Sequence, residues 1–211
     1  MTAYMDHKNL ANEVIDDARA REITDGVHRV LDRIAAAEEQ AGREAGSVRL
    51  LAATKTRDIG EIMVAIDAGV RMIGENRPQE LREKDPLLPP DIRWHMIGHL
   101  QTNRVKYIAP FVELIHSVDS DRLLAVIDRE AARNDRTIDV LFEVHVAMEE
   151  TKSGWAPEEL RSYLAGGAWR TYGNVRIRGL MAVASQTNDD ARIRAEFTAA
   201  VSYTHLTLPT I

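Results

Sequence analysis

The residue best suited to covalent chemistry in this sequence is a lysine at the end of a short apolar run. Residues 48–53 are apolar apart from Arg49, which predicts a strand buried on both faces as in a parallel sheet, and Lys55 follows between Thr54 and Thr56. Ligands bind at the carboxyl ends of parallel strands in α/β folds. Partial desolvation there lowers the cost of deprotonating a lysine, whose neutral amine condenses with carbonyl groups. The alternative is a solvated lysine in a loop.

The elements that position this lysine follow an alternating pattern of strands and helices, at roughly 30-residue intervals. Apolar runs predict strands over 48–53, 70–74, 92–97, 112–117, 139–146 and 175–183. Helical spacing predicts helices over 23–42, 59–68, 79–84, 103–109, 121–134, 157–164 and 189–200. Asp119 or Ser120 is expected to cap the helix at 121, and Pro157 suits a first helical turn.

This order of elements predicts an α/β fold, either an eight-stranded (β/α)8 TIM-type barrel or a doubly wound open sheet. The sequence has no Gly-rich phosphate fingerprint after any predicted strand, which favours the barrel. Six strands can be counted, so about six of the eight βα units of such a barrel are expected in this chain.

Composition narrows the classes of partner. The 27 basic and 33 acidic residues give a net charge of −6, and no basic run is present that would follow a nucleic-acid backbone. The sequence has no cysteine, and its seven histidines lack the paired spacing of a metal site. It also has no signal peptide pattern and no apolar run of membrane-spanning length. We therefore expect a cytoplasmic protein without nucleic-acid, membrane or metal partners.

Four stretches of this sequence together resemble one family. They are Leu-Leu-Ala-Ala-Thr-Lys-Thr at 50–56, Gly-Glu-Asn-Arg-Pro-Gln-Glu-Leu at 74–81, Trp-His-Met-Ile-Gly-His-Leu-Gln-Thr-Asn-Arg-Val-Lys-Tyr-Ile at 94–108, and Arg-Gly-Leu-Met-Ala-Val-Ala at 178–184. From about residue 23 to residue 200 the chain resembles the pyridoxal phosphate homeostasis proteins, single-domain barrels similar to the N-terminal domain of alanine racemase.

The resemblance implies a cofactor, pyridoxal 5′-phosphate, held as a Schiff base on Lys55. It also implies that Asn76 contacts the pyridine ring or its 3-hydroxyl, although a turn role suits this residue equally. His95 and Met96 alternate along the third strand, so one of them should face the barrel interior. Met181 on the sixth strand is expected to pack on the cofactor ring, with a plain core role as the alternative.

The function implied is to maintain and deliver pyridoxal phosphate, without dedicated catalysis. Apoenzymes that need the cofactor are then possible recipients, and the family form is expected to be a monomer. The alternatives are a pyridoxal phosphate-dependent amino-acid racemase or decarboxylase-like enzyme, and a Schiff-base aldolase without cofactor. His99 has the residue type of a general acid or base, although a backbone-bonded histidine at a helix start explains it as well.

The predicted domain organisation has three parts. Residues 1–22 are a weakly patterned arm, residues 23–200 are the cofactor-binding barrel, and residues 201–211 are a tail that does not match the family. The resemblance leads us to expect two later segments, a Ser-Met-Gly-Met-Ser-like turn and an Arg-Ile-Gly strand end, that cradle the phosphate. The tail contains neither glycine nor arginine, so we expect it to be non-native sequence and the barrel to be incomplete.

Overall fold

The computed structural model describes residues 9–146 and 154–207, with side chains as far as residue 203. The chain divides into two compact units, residues 1–94 and 95–211. The elements are α1 (Asp17–Gln40), β1 (Leu51–Ala53), α2 (Ile59–Asp67), β2 (Met72–Glu75), α3 (Pro78–Lys84), β3 (Arg93–Met96), β4 (Leu114–Val118), α4 (Asp121–Arg133), β5 (Ile138–Val144), α5 (Pro157–Gly166), β6 (Val175–Ala182) and α6 (Asp190–Thr207). Short 3₁₀ helices lie at Asp85–Leu87, Thr102–Tyr107 and Ala168–Thr171.

Strands and helices alternate as predicted, and the described parts of the chain contain six strands. The segment predicted as a helix at 103–109 is the 3₁₀ helix Thr102–Tyr107. Ser120 caps α4 by accepting a hydrogen bond from the Leu123 N–H, and Pro157 occupies the first turn of α5. Among the described residues, no helix is both long enough and apolar enough to span a bilayer.

The first helix begins earlier than its apolar spacing predicts. It starts at Asp17 rather than Ile23, because the Asp16 carboxylate caps it by accepting from the Arg19 N–H at 2.9 Å. Part of the predicted arm is also bound to the first unit. The carbonyls of Leu10 and Asn12 accept the first N–H groups of α2, at 2.9 and 2.8 Å. Residues 1–8 of that arm lie outside the described residues.

The first sheet pair is formed by β1 and β2, which run parallel with Leu51 opposite Met72 and Ala53 opposite Gly74. Every residue of β2 is buried, but β1 is only half-buried and Ala53 is exposed. Val48, predicted to lie in a strand buried on both faces, precedes β1 and is 39% exposed. That prediction was wrong in both length and burial, because an apolar run alone does not reveal how many neighbours cover a strand.

A buried carboxylate organises the loop that leads into β1. Glu38, near the end of α1, accepts hydrogen bonds from the N–H groups of Gly46 and Val48 at 2.9 and 2.6 Å, and from the Ser47 hydroxyl at 3.2 Å. These donors favour the charged form, so the two backbone bonds and then the serine lower the pKa of Glu38. One glutamate therefore fixes the turn between α1 and β1.

In the second unit β3, β4, β5 and β6 are neighbours in chain order, and all the pairs are parallel. The longest contact joins β5 to β6, from Ile138 opposite Val175 to Val144 opposite Ala182. The last helix, α6, continues to Thr207, beyond the predicted end at residue 200. Residues 208–211 of the predicted tail lie outside the described residues.

The second unit has an aromatic core. Phe142 is fully buried and meets the rings of Trp155 and Tyr163 edge-on, with centroids 6.1 and 6.2 Å away. Trp155 and Tyr163 stack at 4.8 Å, and the Trp155 indole donates to the Val118 carbonyl at 3.1 Å. This cluster joins β4, β5 and α5 because each aromatic ring presents a large apolar area with only one polar group to satisfy.

We predict that Phe142→Ala lowers the free energy of unfolding by about 3–5 kcal/mol, because the cavity forms in a closed aromatic cluster. Phe197→Ala is the matched control, since Phe197 lies on α6 with 48% of its surface exposed. Urea denaturation followed by circular dichroism measures both variants. Equal effects of the two substitutions would show that the cluster does not hold the second unit together.

Candidate functional site

Lys55 lies in the first turn beyond the carboxyl end of β1, as predicted. The Thr54 N–H donates to the Gly74 carbonyl of β2 at 3.0 Å, which joins the turn to that strand. Within the turn, the Arg57 N–H donates to the Thr54 carbonyl at 3.0 Å. The Lys55 side chain is exposed. The described residues do not bury the Lys55 amine, although its partial desolvation was expected.

Asn76 occupies the corresponding position on the neighbouring strand. Ala53 on β1 is opposite Gly74 on β2, and Lys55 and Asn76 each lie two residues beyond that aligned pair. Both side chains are exposed, one a primary amine and the other an amide. The parallel pairing therefore brings these two predicted site residues to the same level at one edge of the first unit.

A buried charge cluster, formed by Thr54, Glu75, Glu80 and Lys84, lies directly behind this turn. The Lys84 ammonium donates to Glu75 Oε1 at 2.6 Å, to Glu80 Oε2 at 3.2 Å and to the Thr54 carbonyl at 3.0 Å. The Thr54 hydroxyl also donates to Glu75 Oε1, at 2.7 Å. Glu75 and Lys84 are at most 1% exposed and Glu80 is 5% exposed.

Removal from water changes the pKa of the buried acidic group in this cluster. Burial raises the pKa of Glu75 above its ordinary value, and the Lys84 ammonium and the Thr54 hydroxyl oppose that rise. Sequence reasoning missed this cluster because Glu80 and Lys84 belong to a short charged helix that reads as solvated surface. Their i,i+4 spacing, next to a glutamate at the end of a buried strand, was the available signal.

In the second unit His95 is paired with a second histidine. Its Nδ1 lies 2.8 Å from Nε2 of His116 on β4, so one ring nitrogen donates and the other accepts. Burial, and then the neighbouring His95, lower the pKa of His116 to about 4. His95 and Met96 are both buried. His116 was not predicted as a partner.

Met181 lies on β6, half-buried and opposite Glu143 of β5. Two strands, β4 and β5, lie between Met181 on β6 and His95 on β3.

His99 lies in a loop rather than at a helix start, and its exposed ring pairs with Asp119 through Nδ1 and Oδ2 at 3.3 Å. The structure thus brings Lys55 together with Asn76, and His95 together with His116.

Comparison with known proteins identifies the family. Residues 30–207 match the family model described as alanine racemase, N-terminal domain. The pyridoxal phosphate homeostasis protein of Aquifex aeolicus is 40% identical over 170 residues, which cover 80% of this chain and 74% of that protein. This chain belongs to the pyridoxal phosphate homeostasis protein family. The resemblance carried by the four sequence stretches is therefore confirmed.

Two solved structures are similar to this chain over most of its length. A protein from Bifidobacterium adolescentis, described as unknown, is 53% identical with a TM-score of 0.85, over 93% of this chain and 83% of that one. PipY of Synechococcus elongatus with bound PLP is 31% identical with a TM-score of 0.69, over 83% and 80% of the two chains. Together with the family match, they confirm the predicted alanine racemase-like α/β barrel class.

We predict that the stability of this homeostasis-family chain falls as the pH drops from about 6.5 toward 4. The folded chain binds the His116 proton less readily than the unfolded chain, in which the pKa of histidine is near 6.5, so the stabilising contribution is complete above that pH. The loss is at most about 3 kcal/mol.

The measurement is urea unfolding at a series of pH values, for the wild type and for His116→Gln. The variant should have a flatter acid limb because its side chain does not titrate. His28→Gln, at an exposed position on α1, is the control and should follow the wild type. An acid limb that His116→Gln leaves unchanged would contradict the assignment.

Proposed function

We propose that this chain binds pyridoxal 5′-phosphate covalently through Lys55 and holds the cofactor for delivery, without dedicated turnover. The observation that carries the proposal is an accessible primary amine at the carboxyl end of a parallel strand, level with the Asn76 amide, in a chain of this family. Relatives of similar length carry the name pyridoxal phosphate homeostasis protein, and the PipY structure contains PLP.

The residues on the exposed edge fit the cofactor chemically. When pyridoxal 5′-phosphate is bound, its aldehyde supplies an electrophile for the neutral Lys55 amine, a C=N bond forms, and the oxygen leaves as water with the two amine hydrogens. The exposure of Lys55 leaves its amine open to an incoming aldehyde. We assign Asn76 the role of orienting the ring, because an amide can both donate and accept a hydrogen bond without adding charge.

We assign two further contacts to the second unit, His95 and Met181. His95 is held by His116, so its ring orientation is fixed before any ligand arrives. Burial lowers the pKa of His116 and favours its neutral form, which can hydrogen-bond to His95 without adding charge beside the site. Met181 offers a polarisable thioether of the kind that packs against aromatic rings.

The proposal also covers the partners of the chain, its oligomeric state and its cellular compartment. The recipients would be apoenzymes that require pyridoxal phosphate, the chain would act as a monomer, and it would work in the cytoplasm. The net charge of −6, without a basic run, argues against nucleic acid as a partner.

An amino-acid racemase is the second candidate, because the matching family model is named for alanine racemase. Such an enzyme exchanges the Cα proton of an amino acid, whereas a carrier does not. Incubating the chain with pyridoxal phosphate and L-alanine in D₂O, followed by NMR of the Cα position, separates the two functions. We expect no exchange above the rate of free pyridoxal phosphate.

We predict that pyridoxal phosphate, followed by borohydride reduction, labels Lys55 at least tenfold more than the exposed Lys106, as a positioned amine reacts faster than a free one. Peptide mass spectrometry measures the ratio. Lys55→Arg keeps the charge and should abolish the selective label, and Lys106→Ala should leave it intact. Equal labelling of the two lysines in the wild type would refute covalent binding at Lys55.

A further inference from the structure

We propose that Glu80 is a positioning residue for Lys55, acting together with Lys84 by fixing the backbone on both sides of the reactive amine. The inference rests on the proposed function of Lys55 and goes beyond it, because it assigns a role to a buried cluster that the proposed function does not use. Glu80 and Lys84 lie on α3, whereas Lys55 follows β1.

Two bonds from α3 reach the residues immediately before and after Lys55. The Lys84 ammonium donates to the carbonyl of Thr54 at 3.0 Å, and Glu80 Oε2 accepts from the backbone N–H of Thr56 at 3.2 Å. The same Glu80 oxygen accepts from Lys84 at 3.2 Å. The three interactions form one closed chain of contacts around the peptide units of Lys55.

The conformation of Thr56 shows why such a restraint is needed. Its φ of +67° lies in the left-handed region, which a β-branched residue rarely occupies. A residue in this region persists only where the surroundings fix it, and sites of this kind cluster at functional positions. Glu80 supplies such a restraint, because its buried carboxylate accepts a hydrogen bond from the Thr56 N–H.

Side-chain packing cannot orient the amine of Lys55, because that side chain is exposed. The direction of its Cα–Cβ bond is set by the backbone at Thr54 and Thr56, and both are bonded to α3. The ammonium of Lys84 uses all three of its donors, on Thr54, Glu75 and Glu80. The cluster therefore holds the backbone of Lys55 rigid while its side chain faces solvent.

Glu80 is the residue to change, because removing Lys84 would leave two carboxylates buried without a cation and would unfold the unit. Glu80→Ala deletes the acceptor of the Thr56 N–H, whereas Glu80→Gln retains a carbonyl oxygen that can accept it. Two controls match this change. Glu83→Ala alters an exposed glutamate on the same helix, and Glu38→Ala removes a buried glutamate that holds the loop at the opposite end of β1.

The first measurement is amide hydrogen exchange of the peptide that contains Thr56, in the protein without cofactor. The second is the rate of borohydride-trapped labelling of Lys55 by pyridoxal phosphate, with Lys106 as the internal reference. We expect Glu80→Ala to accelerate exchange at Thr56 and to slow Lys55 labelling roughly 10- to 100-fold, the scale of an ångström of misplacement. Glu80→Gln should restore most of the rate, and both controls should label like the wild type.

Exchange at Thr56 that is unchanged by Glu80→Ala overturns the proposal, and so does faster exchange with an unchanged labelling rate. Equal slowing by Glu38→Ala also overturns it, because the effect would then be one of general stability. If Glu80→Ala does not fold, Glu80→Leu replaces it, because leucine also lacks the acceptor while filling the buried space, and unchanged exchange at Thr56 or unchanged labelling of Lys55 in that variant overturns the proposal. A wild type without selective Lys55 labelling refutes the proposed function instead, and the exchange measurement still reports on Glu80.

Discussion

The first unit depends on the buried ammonium of Lys84. Lys84 is surrounded by Thr54, Glu75 and Glu80, and each of these belongs to a different local structure: the end of β1, the end of β2 and the middle of α3. A charge in such a place is tolerated only when its donors are all used, because desolvation costs several kcal/mol per ion. The cluster therefore dictates how these three segments meet, and the exposed edge with Lys55 and Asn76 is built on it.

In the described part of the second unit, buried polar groups are paired without a buried lysine or arginine. Phe142, Trp155 and Tyr163 provide apolar area, and their polar atoms lie where a carbonyl or carboxylate can receive them. Asp121, at the start of α4, accepts hydrogen bonds from the hydroxyls of Tyr163 and Tyr172. The histidine pair follows the same rule, because His116, whose pKa is lowered by burial, shares a hydrogen bond with His95 and needs no counter-ion.

The sequence was sufficient for features that repeat. Alternating strands and helices predicted the fold class, and the position of Lys55 after an apolar run predicted its place at a strand end. Burial was harder to predict, since the exposure of β1 depends on what lies beside it. The buried cluster was missed because Lys84 follows other charged residues on a short helix, where local pattern cannot distinguish a solvated lysine from a buried one. The partnership of His95 with His116 likewise depends on the register of β3 against β4.

The bonds that Leu10 and Asn12 make to the start of α2 also have a consequence for the order of folding during synthesis. The acceptors leave the ribosome before their donors, because Ile59 follows Leu10 by 49 residues. At a translation rate of about 5–20 residues per second, the N-terminal segment waits roughly 2–10 s before its partner exists. Gly60 suits this late docking, since a Cβ there would come within 2.8 Å of the Glu13 carbonyl oxygen. These two acceptors are thus made well before the helix that they bind.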